Sequence, residues 1–271
     1  MNKPSMTAVV IAKNEALMIE ACLETLQWCT EVLVIDNGST DATADLAEKR
    51  GAQVISFKHQ SFARLRTEAL KAVATDWLLY IDADERVTPE LAKEIMVRVE
   101  TGNWAALAFL RQNYFFGQLF RHGGWETDTV IRAFKTEDLK EWRGDVHESP
   151  VFDGQSTLLT FPLVHFTHRS VAAGLSKSAE WTPIEASLLF QSATFQVGVG
   201  TIIKKGLAEF VKRAIYRQGY QDGQAGWVES ISQAINRMLV YMQVWELQQN
   251  PSSAKKYEQL EKKIKEKWQS A

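Results

Sequence analysis

The feature that most constrains this chain is the segment WLLYIDADE, which runs from Trp77 to Glu85 and leads five apolar residues into three carboxylates. The apolar run is short and follows the turn-like Ala74–Asp76, which favours a buried strand over a helix. Side chains alternate along an extended chain, so Asp82 and Asp84 are expected to point to the same side. Two carboxylates so placed repel each other unless a proton or a cation intervenes. A hard divalent cation bound to phosphates is the usual solution, so the segment predicts a cation site.

The composition is that of a folded protein in a reducing compartment. Its 271 residues allow one or two domains, and its 45% hydrophobic and 24% charged residues are typical of globular chains. The net charge of −2 gives no general reason to expect a nucleic-acid partner. Cys22 and Cys29 form neither a metal-binding spacing nor a disulfide framework. The sequence shows no secretory signal and no run of about twenty apolar residues, so we expect a cytoplasmic location.

Strand-like and helix-like segments alternate in the N-terminal part of the chain, which predicts a parallel sheet with helices on both faces. Asn14 is expected to cap the first helix, and Thr88-Pro89 to open a later one. The predicted strands cover residues 6–12, 31–36, 52–57 and 77–81, with shorter ones at 105–110, 130–134 and 158–161. Helices are predicted over residues 174–192, 195–218, 226–249 and 254–268. We therefore expect an α/β domain over residues 1–169 and a helical region over residues 170–271.

Polar residues follow several of the predicted strands. Glu15 comes after the first strand, Asp36 ends the second, and Asp82 and Asp84 follow the fourth. Parallel sheets bind ligands outside the carboxyl ends of their strands, so these side chains are expected to converge on one crevice. A cap or turn would explain any one of them, but together they indicate a functional site.

Short segments at these strand ends resemble family-2 glycosyltransferases with the GT-A fold. The matching segments are VVIAKNE at 9–15, VIDNGSTD at 34–41, Arg66 ahead of Ala69-Leu70, and IDADE at 81–85. Arg132–Phe134, Gly144–Glu148 and Gly219–Gly223 resemble the branch that includes lipopolysaccharide-core β-glucosyltransferases. The resemblance implies a Rossmann-like, mostly parallel central sheet with helices on both faces, followed here by a C-terminal helical extension.

The resemblance also implies roles for the residues at the strand ends. Glu15 would bind the ribose of a UDP-sugar, Asp36 would bind the uracil edge, and Asp82 would lie near the ribose. Asp84, the second acidic residue of a DXD motif, would bind a Mg²⁺ or Mn²⁺ ion that bridges the diphosphate. Arg66 would steady the acidic crevice or the phosphates.

The segment WRGDVHE, which ends at Glu148, holds the candidates for a catalytic base. An inverting transferase needs a base that takes the proton of the acceptor hydroxyl. The resemblance favours Glu148, with Asp145 as the alternative and His147 able to orient either. The competing interpretation is a surface loop with ordinary charges.

Residues farther along the chain are candidates for the metal and acceptor sites. Either His165 or His168 could complete the metal coordination, as a late histidine does in some GT-A enzymes, or each could be a structural histidine. Trp125 could stack on a sugar of the acceptor, or pack in the core. Arg132 could bind an anionic acceptor or a phosphate, or pair with a neighbouring carboxylate.

Residues 195–218 form a basic amphipathic pattern in which lysines and arginines interleave with aliphatic side chains. Such a helix can lie on an anionic membrane surface. Alternatively, its apolar side packs on the catalytic domain while its charges remain in water. The first interpretation suits a lipid-linked saccharide acceptor and a peripheral location on the cytoplasmic face of the inner membrane.

The sequence therefore predicts an inverting, metal-dependent glycosyltransferase. The resemblance supplies UDP-glucose as donor and a hydroxyl of a lipopolysaccharide inner-core sugar as acceptor. A nucleotidyltransferase is the enzymatic alternative, but a Gly-rich phosphate loop is missing after the first strand, where Lys13-Asn14-Glu15 stands. A non-catalytic membrane-surface scaffold built on a GT-A domain is the other alternative, and the retained acidic residues argue against it.

Overall fold

The structure is a computed structural model that describes residues 3–144, 148–192 and 195–269. The chain divides into two compact units. The first unit comprises Met1–Phe120 and Trp125–Thr167, and the second comprises Arg121–Gly124 and His168–Ala271. The predicted division between residues 169 and 170 differs from this one at Arg121–Gly124 and at His168 and Arg169, which were expected in the first domain.

The first unit contains short strands and helices that alternate along its N-terminal part, as the apolar pattern predicts. Its helices are α1 Ile19–Glu24, α2 Thr43–Lys49, α3 Phe62–Ala72 and α4 Pro89–Thr101. Its first strands are β1 Met6–Ala12, β2 Glu31–Asp36, β3 Gln53–Ser56, β4 Trp77–Asp82 and β5 Glu85–Arg86. The later strands are β6 Ala106–Phe115, β7 Gln118–Leu119, β8 Thr129–Lys135, β9 Leu139–Arg143, β10 Ser149–Phe152, β11 Ser156–Leu158 and β12 Leu163–His168.

The main sheet is mixed, with strand order β3-β2-β1-β4-β8-β6-β12-β5. Strands β1, β2, β3 and β4 are parallel, whereas β8 runs antiparallel to both β4 and β6. The register pairs Ala12 with Asp36 and Ile11 with Asp82. These pairings place the carboxyl ends of β1, β2 and β4 at one edge, as the strand-end argument predicts.

Strand β1 lies in the middle of the parallel part and is buried along its whole length. Alternate residues therefore enter two different apolar clusters. Val10 packs in a cluster that includes Leu23 of α1 and Leu91 of α4. Its neighbour Val9 packs in a second cluster with Leu65 of α3. Helices thus cover both faces of the sheet, which explains the continuous apolar run of β1 and confirms the predicted α/β fold class.

The helix starts were predicted with mixed success. Thr88 caps α4 as expected, because its side chain accepts a hydrogen bond from the Leu91 N–H at 3.2 Å and Pro89 occupies the first turn. The prediction that Asn14 caps the first helix is wrong, since α1 begins only at Ile19. Asn14 instead adopts a left-handed conformation with φ of 58°, which asparagine tolerates better than most residues.

The second unit is helical, as the sequence predicts. Its helices are α5 Val171–Ser192, α6 Val199–Val211, α7 Gly223–Leu247 and α8 Ser253–Gln269, with a π-helical turn at Lys212–Tyr216 and a 3₁₀ turn at Gly219–Asp222. Its small core joins α5, α6 and α7 through Ala186, Ile202 and Val240. Asp222 is buried and accepts backbone N–H groups from Arg121 at 3.1 Å and His122 at 2.9 Å, which ties the short segment to this unit. No helix in the part of the chain that the structure describes is long and apolar enough to cross a membrane.

Candidate active site

The loops that follow β1 and β2 are locked together by hydrogen bonds. The backbone N–H of Asn14 donates to Ser39 Oγ at 2.9 Å, and the N–H of Glu15 donates to Thr43 Oγ1 at 2.8 Å. In return, Asn14 Oδ1 accepts the backbone N–H of Thr40 at 2.8 Å. The left-handed conformation of Asn14 makes this exchange possible. The exchange holds the Glu15 loop against the loop that follows Asp36.

Asp36 lies at the end of β2, and its side chain is buried. Both of its carboxylate oxygens lie 3.3 Å from the backbone N–H of Ser39. Gly38 lies between Asp36 and Ser39 in the chain. Its φ is 73°, a value that residues with a side chain disfavour. This tight turn places the Asp36 carboxylate in the loop at the edge where Asp82 also ends its strand.

Asp82 belongs to a cluster of carboxylates and guanidinium groups. Arg132 Nη2 donates to Asp82 Oδ2 and lies 3.0 Å from Glu85 Oε1. Arg66 Nη2 lies 4.0 Å from Asp82 Oδ1 and 3.3 Å from Glu148 Oε1. The arginines thus bridge the carboxylates of the β4 end to Glu148, a residue 82 positions from Arg66 in the chain.

The charges in this cluster shift the pKa values of its carboxyl groups. Burial raises the pKa of Asp82, but Arg132 and Arg66 outweigh it, so the pKa lies below its ordinary value. Glu85 is fully buried, and this burial raises its pKa against the opposing effect of Arg132. Asp82 is therefore held as an anion, and the cations beside it are guanidinium groups.

Asp84 faces a different partner. Strand β4 ends at Asp82 and a turn follows, so the expectation that Asp82 and Asp84 share one side of an extended strand is wrong. The antiparallel pairing of β5 with β12 sets Glu85 opposite His165. This pairing brings His165 Nε2 to 3.5 Å from Asp84 Oδ2. The Asp84 side chain remains 16% exposed, which leaves it accessible to a ligand.

Three polar residues near this pair were not identified from the sequence. Asn113 Oδ1 lies 2.7 Å from His165 Nδ1, and Asn113 Nδ2 donates to Asp128 Oδ2 at 3.0 Å. The Arg111 guanidinium donates two hydrogen bonds to the Asp128 carboxylate, from Nε to Oδ2 at 2.9 Å and from Nη2 to Oδ1 at 3.0 Å. A signal for two of them was present, because Arg111, Gln112 and Asn113 form a polar run in a strand that is otherwise largely apolar, and alternation places Arg111 and Asn113 on one face.

The two candidate metal-binding histidines have different surroundings. His168 belongs to the second unit, where its Nδ1 lies 3.2 Å from Glu229 Oε2. His165 lies beside Asp84 in the first unit. No group of three or more His, Cys, Asp or Glu side chains among the described residues is arranged to hold a metal ion. The Asp84–His165 pair does offer a carboxylate oxygen and an imidazole nitrogen, which are atoms that bind divalent cations.

The two residues predicted for acceptor binding have structural partners. Arg132 is buried against Asp82 and Glu85, so the geometry favours the carboxylate-pairing alternative. The Trp125 ring packs on Phe115 with 4.7 Å between ring centroids, which favours the packing alternative.

Among the residues predicted to supply the base, Asp145 and His147 lie outside the described residues. Glu148 is described, and Arg66 contacts it. The Arg66 guanidinium is itself held over the rings of Tyr80 at 4.9 Å and Trp142 at 4.6 Å. Arg66 is thus a rigid support for the Glu148 carboxylate.

The chain is similar to known glycosyltransferases. The family described as "Glycosyl transferase family 2" matches residues 7–180. The chain is 24% identical over 261 residues, 90% of its length and 93% of the relative's, to the lipopolysaccharide core biosynthesis glycosyltransferase LpsC of Rhizobium meliloti (strain 1021). It is 38% identical over 90 residues to an uncharacterized glycosyltransferase of Rickettsia bellii (strain RML369-C), 33% of this chain and 31% of the relative. Among solved structures, S. aureus TarS 1-349 in complex with UDP-GlcNAc matches 86% of this chain and 81% of its own, with 14% identity and a TM-score of 0.46.

Proposed function

Since the chain belongs to glycosyl transferase family 2, we propose that it is an inverting, metal-dependent transferase that moves glucose from UDP-glucose to a lipopolysaccharide inner-core hydroxyl. The observation that carries the metal-dependent part is the Asp84–His165 pair, 3.5 Å apart at the end of β4. The sugar and the acceptor rest on the family resemblance and on the printed name of the Rhizobium meliloti relative.

Asp84 and His165 are the residues that would hold the divalent cation. A carboxylate oxygen and an imidazole nitrogen both suit Mn²⁺, and the carboxylate suits Mg²⁺. When bound, such a cation neutralises negative charge on a leaving diphosphate without proton transfer. His168, which pairs with Glu229 in the second unit, is not needed for this proposal.

The donor would bind along the edge formed by β1, β2 and β4. Glu15 and Asp82 would contact the ribose, and Asp36 the uracil. Arg132 and Arg66 support this arrangement because they keep Asp82 ionised and therefore able to accept hydrogen bonds from ribose hydroxyls. The interlocked loops keep Glu15 and Asp36 in place before the donor arrives.

Glu148 would act as the base. Its Oε1 lies 3.3 Å from Arg66 Nη2, which holds the carboxylate in one orientation. An ionised carboxylate can take the proton of the acceptor hydroxyl as that oxygen attacks the sugar from the face opposite the diphosphate. Asp145 remains the alternative base.

The second unit would contact a membrane that carries the lipid-linked acceptor. Helix α6 exposes aliphatic side chains every fourth residue, which places them along one face. Their exposed fractions are 70% for Val199, 47% for Ile203, 60% for Leu207 and 52% for Val211. Exposed lysines Lys204, Lys205 and Lys212 lie on the same segment. An apolar face with adjacent lysines is complementary to an anionic lipid surface.

A donor screen tests the proposed function. The purified protein would receive UDP-glucose, UDP-galactose, UDP-GlcNAc or GDP-mannose with Mn²⁺ and a truncated-core lipopolysaccharide acceptor. We expect transfer from UDP-glucose and a β-linked product by linkage analysis. An α-linked product would contradict inversion, and transfer only from a non-uridine donor would contradict the proposed donor site. The Asp84→Asn variant serves as the inactive control.

A further inference from the structure

A row of polar side chains leads through the first unit to the Asp84–His165 pair. It begins at Arg111, passes through Asp128 and Asn113, and ends at His165. Asn113 is buried, so its amide depends on these protein partners for its hydrogen bonds. The order of donors and acceptors along the row determines which atoms carry hydrogen.

The orientation of the Asn113 amide follows from its neighbours. Its Nδ2 lies 3.0 Å from Asp128 Oδ2 and 3.3 Å from the backbone oxygen of Trp125. An ionised carboxylate and a carbonyl oxygen only accept hydrogen bonds, so the amide NH₂ group must face them. The opposite orientation would place the amide oxygen against two further acceptors. Asn113 Oδ1 therefore faces His165.

The amide orientation in turn determines the hydrogen of the His165 ring. Asn113 Oδ1 cannot donate, so His165 Nδ1, 2.7 Å away, must carry the hydrogen. In the neutral ring the other nitrogen, Nε2, then presents a lone pair. With the ring neutral, that lone pair faces Asp84 Oδ2 at 3.5 Å, and neither atom has a hydrogen to offer the other. Two acceptors that face each other in this way suit a shared cation.

At the end of the row farthest from His165, Arg111 forms ion pairs with two carboxylates. Arg111 holds both oxygens of Asp128 and also lies 3.5 Å from Glu85 Oε1. A bidentate pair of this kind is geometrically specific, so the Asp128 carboxylate has little freedom to turn away from Asn113. The Arg111 contact with Glu85 ties the row to the same strand end that carries Asp84.

We propose that Arg111, Asp128 and Asn113 are positioning residues that hold His165 with its Nε2 lone pair towards Asp84, so that the two side chains form a preorganised cation site. This inference rests on the proposed metal dependence, and it adds the residues that prepare the site before a cation binds. Partners of this kind, behind a histidine ligand, orient its ring and select its tautomer.

The first test examines the ring itself and needs no metal. Nuclear magnetic resonance of the protein labelled with ¹⁵N-histidine, at a pH well above the ordinary histidine pKa of about 6.5, reports which ring nitrogen carries hydrogen. The His165→Gln variant assigns the signal by its loss. We expect a hydrogen on Nδ1 and none on Nε2. A His165 ring with its hydrogen on Nε2 would overturn the proposal.

The second test measures Mn²⁺ affinity in the presence of UDP by titration calorimetry. Asn113→Leu removes the acceptor for His165 Nδ1, and we expect Mn²⁺ affinity to fall by about 10- to 100-fold. The matched control is Gln112→Leu, which also replaces a side-chain amide by leucine, at the adjacent position of β6. This variant should leave Mn²⁺ affinity unchanged. Unchanged Mn²⁺ affinity in a folded Asn113→Leu protein would overturn the positioning role.

The two tests separate this inference from the proposed function. If the unaltered protein binds no Mn²⁺ with UDP, the proposed metal dependence fails, and the positioning role for a cation fails with it. If it binds Mn²⁺ but the His165 ring carries its hydrogen on Nε2, the proposed function stands and only the positioning proposal is overturned.

Discussion

The three acidic residues at and just after the end of β4 have different surroundings. Asp82 faces Arg132 and Arg66, Glu85 is fully buried, and Asp84 faces His165 with part of its side chain exposed. The sequence predicted a cation site from repulsion between two carboxylates on one side of a strand, but the structure places Asp84 in a turn and gives each carboxylate its own partner. Asp82 and Asp84 are both partly exposed, but Asp82 is already paired with guanidinium groups, so we propose Asp84 as the carboxylate that binds a metal ion.

This separation predicts opposite outcomes for neighbouring substitutions. Asp84→Asn should abolish transfer while the melting temperature stays near that of the unaltered protein, because the side chain lies at an accessible edge. Glu85→Ala should destabilise the fold by about 1–3 kcal/mol, because the backbone N–H of Asp82 and Nη2 of the buried Arg132 each lose this acceptor. Thermal and urea denaturation, together with a transfer assay, measure both effects. A large stability loss in Asp84→Asn would instead identify a structural carboxylate.

The proposed base predicts a split between binding and turnover. Glu148→Gln keeps a hydrogen-bonding oxygen for Arg66 but cannot accept the acceptor proton, so kcat should fall by on the order of 100-fold or more. Affinity for UDP should remain the same by calorimetry. Turnover equal to that of the unaltered protein would exclude Glu148 and redirect attention to Asp145.

Local sequence patterns predicted the main strands and helices. The positions of side chains that meet across different strands depend on long-range pairing, which the local patterns do not show. The runs in β1 and β4 were identified because both strands are buried on two faces and read as continuous apolar segments. The position of His165 beside Asp84 depends on the pairing of β12 with β5, which the sequence does not display. Asn113 was missed for the same reason, since its partners Asp128 and His165 lie on other segments.

Helix α6 is predicted to bind anionic lipid surfaces. Ile203→Glu combined with Leu207→Glu should reduce sedimentation with vesicles that contain anionic lipid, because charge replaces exposed apolar surface. The melting temperature should not change, since both side chains are already exposed. The matched control is Leu158→Glu in β11, which is 55% exposed but lies in the first unit. Equal vesicle binding by all three proteins would contradict a membrane role for α6.

For the molecule as a whole, the ion pairs of the first unit couple stability to pH. Burial raises the pKa of Asp128, but its hydrogen bond with Arg111 outweighs this effect and the pKa is lowered, as it is for Asp82. A carboxyl whose pKa is lower in the folded state stabilises the fold when ionised. That contribution is complete above the unfolded pKa of about 3.9 and is lost as the pH falls through the lower folded value.

The free energy of unfolding should therefore fall as the solution is acidified below about pH 4. Urea denaturation over a pH series measures this dependence. Asp128→Asn should show a shallower decline than the unaltered protein, because it cannot be protonated at this position. An identical pH dependence for both proteins would show that the Arg111–Asp128 pair does not contribute.

We propose that the strand-end crevice binds a uridine diphosphate through a divalent cation held at Asp84. Titration calorimetry of UDP, with and without Mn²⁺, on the unaltered protein and on Asp84→Asn tests this binding mode. We predict that Mn²⁺ tightens UDP binding by the unaltered protein and that Asp84→Asn loses this gain. Equal UDP affinity with and without Mn²⁺ in the unaltered protein would contradict the claim.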